Sequence, residues 1–209
     1  MRFMKERAEI VRFGKYLYDK GLVTGTSGNI SVRGDEDTML ITPSGACKGM
    51  LSVSDMIEVR ISDGELLSEG RPSMETPFHL AFYRKRRDVN AVVHSHPLYC
   101  TIFAVAGLRV FTTLTPESLL VLGREVPYVP YATPGSEDLA EGLTENMGDA
   151  NAFLLDKHGA IAVGGSLKDA FHRLETLEFM AEMQYRLIAI EKGDPLPMDE
   201  VEKILRSGH

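Results

Sequence analysis

Two histidines separated by one residue carry the clearest chemical signal in this sequence. His94 and His96 follow the apolar run 91–93, which predicts a short buried strand. Side chains at positions i and i+2 of a strand point to the same face, so the two imidazoles are expected to lie side by side. Such a pair can bind one divalent metal ion. Two strand-end histidines that bond only to backbone groups would show the same pattern.

Two further residues could complete a metal site. His158 follows the apolar run 152–155 and precedes Gly159, whose backbone freedom would permit a tight turn. Glu75 stands at a predicted helix start, where it could act as a fourth ligand or as a base. Three histidines and a carboxylate are typical of a catalytic zinc site with room for substrate. Taken singly, His158 is also an ordinary turn residue, and Glu75 an ordinary helix residue favoured by the dipole.

The remaining histidines give weaker signals. His79 shares a helix face with Glu75 at spacing i, i+4. This spacing favours a packed or hydrogen-bonded helix histidine over a ligand. His172, within a long amphipathic helix, and His209, at the end of the sequence, have no pattern that indicates a function.

Three short polar segments could hold an anion. The turn 25–29 and the turn 42–45 offer exposed amides and hydroxyls, and Ser73 is expected to cap a helix whose free N–H groups suit an anion. The segments lack the spacing of a P-loop or of a dinucleotide-binding loop. Each alone is an ordinary turn. Together with the metal set, they predict a small phosphorylated substrate.

Composition limits the class of protein. The 209 residues include 44% hydrophobic and 25% charged residues, which is typical of one globular domain over 1–209. The 23 basic and 30 acidic residues give a net charge of −7, which argues against a nucleic-acid partner despite the basic run 84–87. Two cysteines, no apolar signal segment and no apolar run of about 18 residues predict a cytoplasmic protein without a membrane partner.

Alternating elements must position these residues. Helices are predicted over about 1–20, 74–86, 98–106, 136–147 and after Ser166, and strands at 30–32, 39–41, 57–61, 91–93, 126–131, 152–155 and 160–163. Several strands are joined by turns too short for a crossover, so those pairs must be antiparallel. The pattern predicts one α/β domain with a largely antiparallel sheet covered by helices.

Taken together, these segments resemble the class II aldolase/adducin-head family. The matching stretches, in family order, are 21–33, 39–45, 72–75, 91–96, 130–133 and 154–162. The resemblance implies a three-layer α/β/α fold and a homotetramer with its active sites between subunits. It also implies Zn²⁺, with Mn²⁺ or Co²⁺ as possible substitutes, bound by Glu75, His94, His96 and His158. The phosphate site that it implies consists of Thr26, Gly28, Asn29, Ser44, Gly45 and Ser73.

The same resemblance implies a reaction. It is the reversible cleavage of a ketose 1-phosphate, L-fuculose 1-phosphate or a similar sugar, into dihydroxyacetone phosphate and an aldehyde, with Glu75 moving a proton. Alternatives are an L-ribulose-5-phosphate 4-epimerase, whose relatives carry aspartate where Glu75 stands, and a sugar-phosphate decarboxylase or dehydratase. A non-catalytic adducin-head module is less compatible, because such modules have lost the metal histidines.

Three departures from the family pattern concern the site, the first at its phosphate end and the other two at its aldehyde end. Met74 stands where the family often has a second serine. The tyrosine expected near Thr115 is absent, which leaves Glu117 or Tyr131 as substitute proton donors. The tail after Leu205 is shorter than in the family and lacks a second tyrosine.

Overall fold

The computed structural model describes residues 1–207, so His209 lies outside the described residues. Within 1–207 the α-helices are Met4–Asp19 (α1), Thr76–Lys85 (α2), Leu98–Ala106 (α3), Pro116–Leu122 (α4), Glu137–Asn146 (α5), Leu167–Ala189 (α6) and Met198–Arg206 (α7). The strands are Asn29–Arg33 (β1), Thr38–Ile41 (β2), Ile57–Arg60 (β3), Ala91–Ser95 (β4), Tyr128–Val129 (β5), Ala152–Leu155 (β6) and Gly159–Gly164 (β7). Short 3₁₀ helices occupy Lys48–Met50 and Thr112–Leu114.

The strands form a single sheet in the order β3-β2-β1-β4-β7-β6-β5. The neighbouring pairs β2–β3, β1–β2, β1–β4, β4–β7 and β6–β7 are antiparallel, and β5 runs parallel to β6. The predicted antiparallel pairing across the short turns of β1–β2 and β6–β7 is therefore confirmed. Strand β4 lies at the centre, and its two neighbours in the sheet come from distant parts of the chain.

Helices bury both faces of this sheet, and the chain is a mixed α/β domain. Successive strand residues alternate between two apolar clusters, as the pleat requires. Val93 packs in the cluster that includes Leu174 of α6, whereas Val92 packs in the cluster that includes Phe82 of α2 and Leu139 of α5. In the described part of the chain, the helices include none with the length and apolar character needed to cross a bilayer.

Ser136 and Ser166 cap the helices that follow them, at the two positions where helices were predicted to begin. Ser136 accepts a hydrogen bond from Leu139 N, and Ser166 accepts one from Asp169 N at 3.1 Å. The prediction that Ser73 caps α2 is wrong, because that helix begins at Thr76 with Glu75 at the N-cap position. Pro77 explains the later start, since proline fits the first helical turn, where its missing N–H removes no hydrogen bond.

Three further elements differ from the prediction. Helices α4 and α7 were not predicted, although Thr115 caps α4 through Ser118 N and Pro116 starts it. The strand predicted over 126–131 is reduced to Tyr128–Val129. Pro127 and Pro130 flank this short strand, and neither can donate a ladder hydrogen bond.

Candidate active site

The sheet brings the three candidate histidines together at one end of β4. His94 lies in β4, His96 follows its last residue, and His158 lies in the turn between β6 and β7. The register of β4 with β7 pairs Ser95 with Ala160, so this turn closes over the end of β4. One ring nitrogen from each histidine lies within 4.8 Å of the others. The predicted convergence of His94, His96 and His158 is thus found.

Two glycines permit the close approach of backbone around these rings. A Cβ on Gly28, whose φ is +73°, would lie 2.6 Å from the carbonyl oxygen of His94. A Cβ on Gly159 would lie 2.6 Å from both Cδ2 of His96 and the Ser95 carbonyl oxygen. Gly159 is therefore required for space, and the left-handed residue of that turn is Lys157, with φ of 53°. The prediction that Gly159 supplies turn freedom is corrected accordingly.

A backbone contact sets the tautomer of His94. Its Nδ1 lies 2.9 Å from the Ala160 carbonyl oxygen, which can only accept, so Nδ1 carries the proton. The Nε2 lone pair then faces the site, 3.0 Å from Nε2 of His96. A metal-binding histidine is commonly oriented in this way by a hydrogen bond from its other nitrogen.

Glu75 completes the cluster from the N-cap position of α2. Its Oε2 lies 3.2 Å from His94 Nε2, and its Oε1 lies 3.3 Å from His158 Nε2. The carboxylate is buried, and among the described residues Oε1 has no hydrogen-bond partner. Unpaired buried carboxylate oxygen is costly, and a cation would satisfy it. The donor set of three imidazoles and one carboxylate fits a divalent metal ion.

Burial keeps the imidazoles neutral, which is the form that binds metal. The pKa of His94 is held well below its usual value by burial and then by the neighbouring rings of His96 and His158. Burial, with a smaller contribution from His96, lowers the pKa of His158 to about 4. Burial also raises the pKa of Glu75, an effect opposed by the Asn29 hydrogen bond and the charge of Lys48. The imidazoles beside the carboxylate therefore contribute no positive charge to it.

A buried hydrogen-bonded chain holds Glu75 from behind. Asn29 Nδ2 donates to Glu75 Oε2 at 2.7 Å, and Oδ1 of the same side-chain amide accepts from His79 Nε2 at 2.5 Å. His79 Nδ1 then accepts from the Ser31 hydroxyl at 2.6 Å, and Ser31 accepts from the Tyr83 hydroxyl at 2.8 Å. His79 is therefore a hydrogen-bonded helix histidine, as its spacing favoured.

The sequence analysis did not predict this series of hydrogen-bonded side chains. The signal that could have found it is the spacing of Glu75, His79 and Tyr83 at i, i+4 and i+8 on one face of a helix. The facing pair Asn29 and Ser31, at i and i+2 of β1, was the matching signal on the strand. Sequence periodicity does not show which strand packs against this helix, because that depends on the topology of the sheet.

The predicted phosphate residues line a cavity that adjoins this cluster. The cavity has a volume of about 340 Å³ and is lined by Thr26, Gly28, Asn29, Pro43, Ser44, Gly45, Ser73, Met74, Glu75, His96, Pro134 and His158. All six residues predicted to bind phosphate are among them. His94 lies beneath the cavity and is fully buried. Three larger cavities, of about 620, 560 and 420 Å³, contain none of the metal or phosphate candidates.

The candidate proton donors lie outside this cavity. Thr115 caps α4 and, with Glu117, lines the cavity of about 560 Å³ beside α6. Tyr131 is exposed and lines another cavity, next to α5. His172 is exposed on α6 and is absent from the three-histidine group. Within one copy of the described chain, then, neither Glu117 nor Tyr131 reaches the cluster.

Comparison with known proteins places this geometry in context. The family model for the class II aldolase and adducin N-terminal domain matches residues 8–185. A 5-deoxy-D-ribulose 1-phosphate aldolase from Bacillus thuringiensis serovar kurstaki is 38% identical over 210 residues, covering 99% of this chain and 96% of the relative. A 3-oxo-tetronate 4-phosphate decarboxylase from Pectobacterium atrosepticum is 37% identical over 186 residues, covering 88% of this chain and 85% of the relative.

Solved structures give the same fold. An L-fuculose 1-phosphate aldolase superposes with a TM-score of 0.90 at 30% sequence identity, over 97% of this chain and 95% of that chain. Whole-chain similarity of this kind in both sequence and structure identifies a family.

Removing one imidazole should release the metal. We expect His158→Ala to weaken metal binding by more than the roughly 10- to 100-fold typical of losing an outer hydrogen-bond partner, because a ligand itself is lost. The measurement is bound divalent metal per chain after dialysis, starting from metal-loaded protein. His172→Ala, which removes an exposed helix histidine, is the matched control. Equal metal content in all three proteins would contradict the site.

The neutral state of His79 predicts a pH dependence of stability. Burial lowers its pKa to about 3, so the unfolded chain binds a proton between about pH 6.5 and 3 that the folded chain does not. The stability contributed by neutral His79 is complete above pH 6.5 and is lost as the pH falls. In metal-free protein, we expect His79→Gln to reduce the slope of unfolding free energy between pH 5 and 6 by up to about 1.4 kcal/mol per pH unit. Tyr83→Phe, which keeps the imidazole, should leave the slope unchanged. Denaturant unfolding at each pH measures it.

Proposed function

The chain belongs to the class II aldolase and adducin N-terminal domain family, and from that premise we propose that it is a metal-dependent lyase that cleaves a ketose 1-phosphate into dihydroxyacetone phosphate and an aldehyde. One observation carries the proposal. The His94–His96–His158 cluster with Glu75 and the three polar segments expected to bind phosphate line or adjoin the same cavity of about 340 Å³. A ligand there could contact both.

The proposed cofactor is Zn²⁺, with Mn²⁺ or Co²⁺ as substitutes, held by Glu75, His94, His96 and His158. Imidazole and carboxylate ligands accept all three ions, so the donor set supports a divalent metal more strongly than it supports zinc. When bound, the ion supplies positive charge for the oxygens of the substrate that become anionic during the reaction.

Glu75 is the proposed acid/base residue. Its Oε2 is fixed by Asn29, whereas Oε1 faces the cluster without a hydrogen-bond partner among the described residues. Burial raises the pKa of this carboxyl, which makes it a better proton acceptor than an exposed glutamate. In the direction of cleavage, Glu75 would return a proton to the substrate carbon that has lost the aldehyde.

The three polar segments are the proposed phosphate anchor. Thr26, Gly28, Asn29, Ser44, Gly45 and Ser73 offer hydroxyl, amide and backbone N–H donors on one side of the cavity. A phosphate bound there would fix the distance between the 1-phosphate end and Glu75, and so orient the reacting carbons. Met74 lines the same cavity with a thioether, so it adds no hydroxyl donor to this anchor.

The substrate proposed first is a 5-deoxypentulose 1-phosphate, with L-fuculose 1-phosphate as the second choice. Support comes from the relative that covers 99% of this chain and carries the name 5-deoxy-D-ribulose 1-phosphate aldolase. Cleavage of the C3–C4 bond in either sugar leaves the same dihydroxyacetone phosphate, and only the aldehyde differs. The anchor and the metal set would therefore serve both substrates.

A decarboxylase is the second candidate function. It is supported by the 37% identity to a 3-oxo-tetronate 4-phosphate decarboxylase. Loss of CO₂ from that compound leaves the carbanion of dihydroxyacetone phosphate, so Glu75 would protonate the same carbon. An L-ribulose-5-phosphate 4-epimerase and a dehydratase are less favoured, and a non-catalytic module conflicts with the retained histidines.

The assembly and compartment are proposed from the family resemblance. A homotetramer would cover exposed apolar side chains such as Leu98, Val105 and Phe111. It would also bring residues of a second copy to the cavity. The proposed location is the cytoplasm, because a chain with only two cysteines is typical of proteins in a reducing compartment.

The identity of the second product tests the two candidates. Metal-loaded protein is given 5-deoxy-D-ribulose 1-phosphate, L-fuculose 1-phosphate or 3-oxo-tetronate 4-phosphate, and dihydroxyacetone phosphate is followed through a coupled reductase. We expect the first sugar to give dihydroxyacetone phosphate and acetaldehyde, with loss of activity after chelation. Release of CO₂ from the third compound alone would establish the decarboxylase instead.

Glu75→Gln should abolish most of this activity. We expect a loss of about 10²- to 10⁴-fold in kcat, the range for a lost general acid/base, with the phosphate anchor intact. Glu141→Gln, which changes an exposed glutamate of α5 in the same way, should retain wild-type activity. A Glu75→Gln variant that keeps both its metal and its activity would exclude Glu75 as the proton carrier.

A further inference from the structure

A buried lysine lies behind the polar loops and plays no part in the chemistry described above. Lys48 begins the 3₁₀ helix Lys48–Met50 and is only 1% exposed. That short helix packs tightly on α1, because a Cβ on Gly14 would lie 2.8 Å from the Lys48 carbonyl oxygen. The lysine side chain is thus anchored at its backbone and reaches toward the loops.

The Lys48 ammonium joins two of the loops that line the cavity. Its Nζ donates to the Thr26 carbonyl oxygen at 2.9 Å and to the Ala46 carbonyl oxygen at 2.5 Å. Thr26 itself lines the cavity, and Ala46 directly follows the lining residues Ser44 and Gly45. An ammonium has three N–H donors, and these two bonds use two of them.

Among the residues that the structure describes, the Lys48 ammonium has no close counter-ion. Within residues 1–207, no carboxylate oxygen lies within 4.0 Å of Lys48 Nζ. A buried unpaired charge is unfavourable, and burial lowers the pKa of Lys48 to about 8. The titratable groups that interact with it are Cys47, Glu75 and His96. The cavity beside this charge is lined with amide and hydroxyl donors. An anion bound in the cavity would therefore supply the counter-ion that the Lys48 ammonium lacks.

We propose that Lys48 is a specificity residue that selects a phosphorylated substrate, by placing one positive charge behind the loops of residues 26–29 and 43–45. The proposal rests on the proposed function, since it concerns the anion of that substrate. The carbonyl contacts direct the ammonium and hold both loops in place, while its charge acts on the bound phosphate through a poorly solvated interior. Neutral donors alone bind an anion less strongly than donors supported by a cation.

The competing interpretation is that Lys48 only ties the two loops together. The two roles differ in what a neutral residue of similar shape would do. Lys48→Met removes the charge and the two hydrogen bonds but fills the same space. If Lys48 only ties the loops together, Lys48→Met should lower the stability of the protein. If its charge selects phosphate, Lys48→Met should weaken anion binding.

Calorimetric titration with methyl phosphate separates the two roles. With metal-loaded protein at pH 7, we expect Lys48→Met to weaken binding by roughly 10- to 100-fold, as for the loss of a charge-assisted contact. Lys168→Met removes an exposed lysine in the first turn of α6 and changes net charge equally, so it should bind as wild type does. A Lys48→Met protein that holds its metal and binds methyl phosphate within twofold of wild type would overturn the proposal.

The wild-type protein gives a second test that does not depend on the variant folding. Methyl phosphate stays a dianion above pH 7, since the second pKa of a phosphate monoester is about 6. We expect its affinity to fall at least about tenfold between pH 7 and 9.5 as Lys48 loses its proton. The fall should persist in Cys47→Ala. Constant affinity would overturn the role of Lys48, whereas a wild-type protein that binds no methyl phosphate at any pH would contradict the phosphate cavity itself.

Discussion

The rest of the site depends on one contact, in which the buried carboxylate of Glu75 lies against two neutral imidazoles. Its oxygens lie 3.2 and 3.3 Å from ring nitrogens of His94 and His158. A buried carboxylate is stable only where donors and positive charge compensate for lost water. The protein supplies one donor directly, from Asn29, and leaves the second oxygen toward the histidines. A divalent cation is the natural complement of that half-satisfied group.

The fold meets this requirement through strand order. Because β4 lies between β1 and β7, the register pairs Asn29 of β1 with His94 and Ala160 of β7 with Ser95. The same register therefore delivers the amide that holds Glu75 and the carbonyl that sets the His94 tautomer. Behind Asn29, each polar group of His79, Ser31 and Tyr83 finds a partner inside the core. A fully paired polar chain of this kind rigidifies a buried site, whereas a partly paired one would weaken it.

The elements and the chemical groups were largely predictable from sequence, but their juxtaposition was not. Periodicity indicated the strands that carry His94 and precede His158, and the helix beside Glu75. It did not show where that helix begins, because the preference of serine for the N-cap competed with Pro77, and proline decided the outcome. The strand expected over 126–131 was reduced in the same way by its flanking prolines. Partners between a strand and the helix packed on it, such as Asn29 with His79, depend on topology, which local pattern does not encode. The six phosphate candidates came from a family resemblance, and a single cavity now holds them.

The two halves of the cavity are built differently, and this bears on how one fold can serve several sugar phosphates. The metal half consists of strand ends and a helix start whose side chains are fixed in the core. The phosphate half consists of loops, tied together by the buried ammonium of Lys48. Under the proposed function, both halves would contact the portion of substrate that a ketose 1-phosphate and a 3-oxo-tetronate 4-phosphate have in common. The residues that would address the remaining portion, Glu117 and Tyr131, line other cavities of the described chain. In the proposed homotetramer, the contacts that choose between substrates would therefore come from a second copy of the chain, because a single copy places neither residue at the cavity.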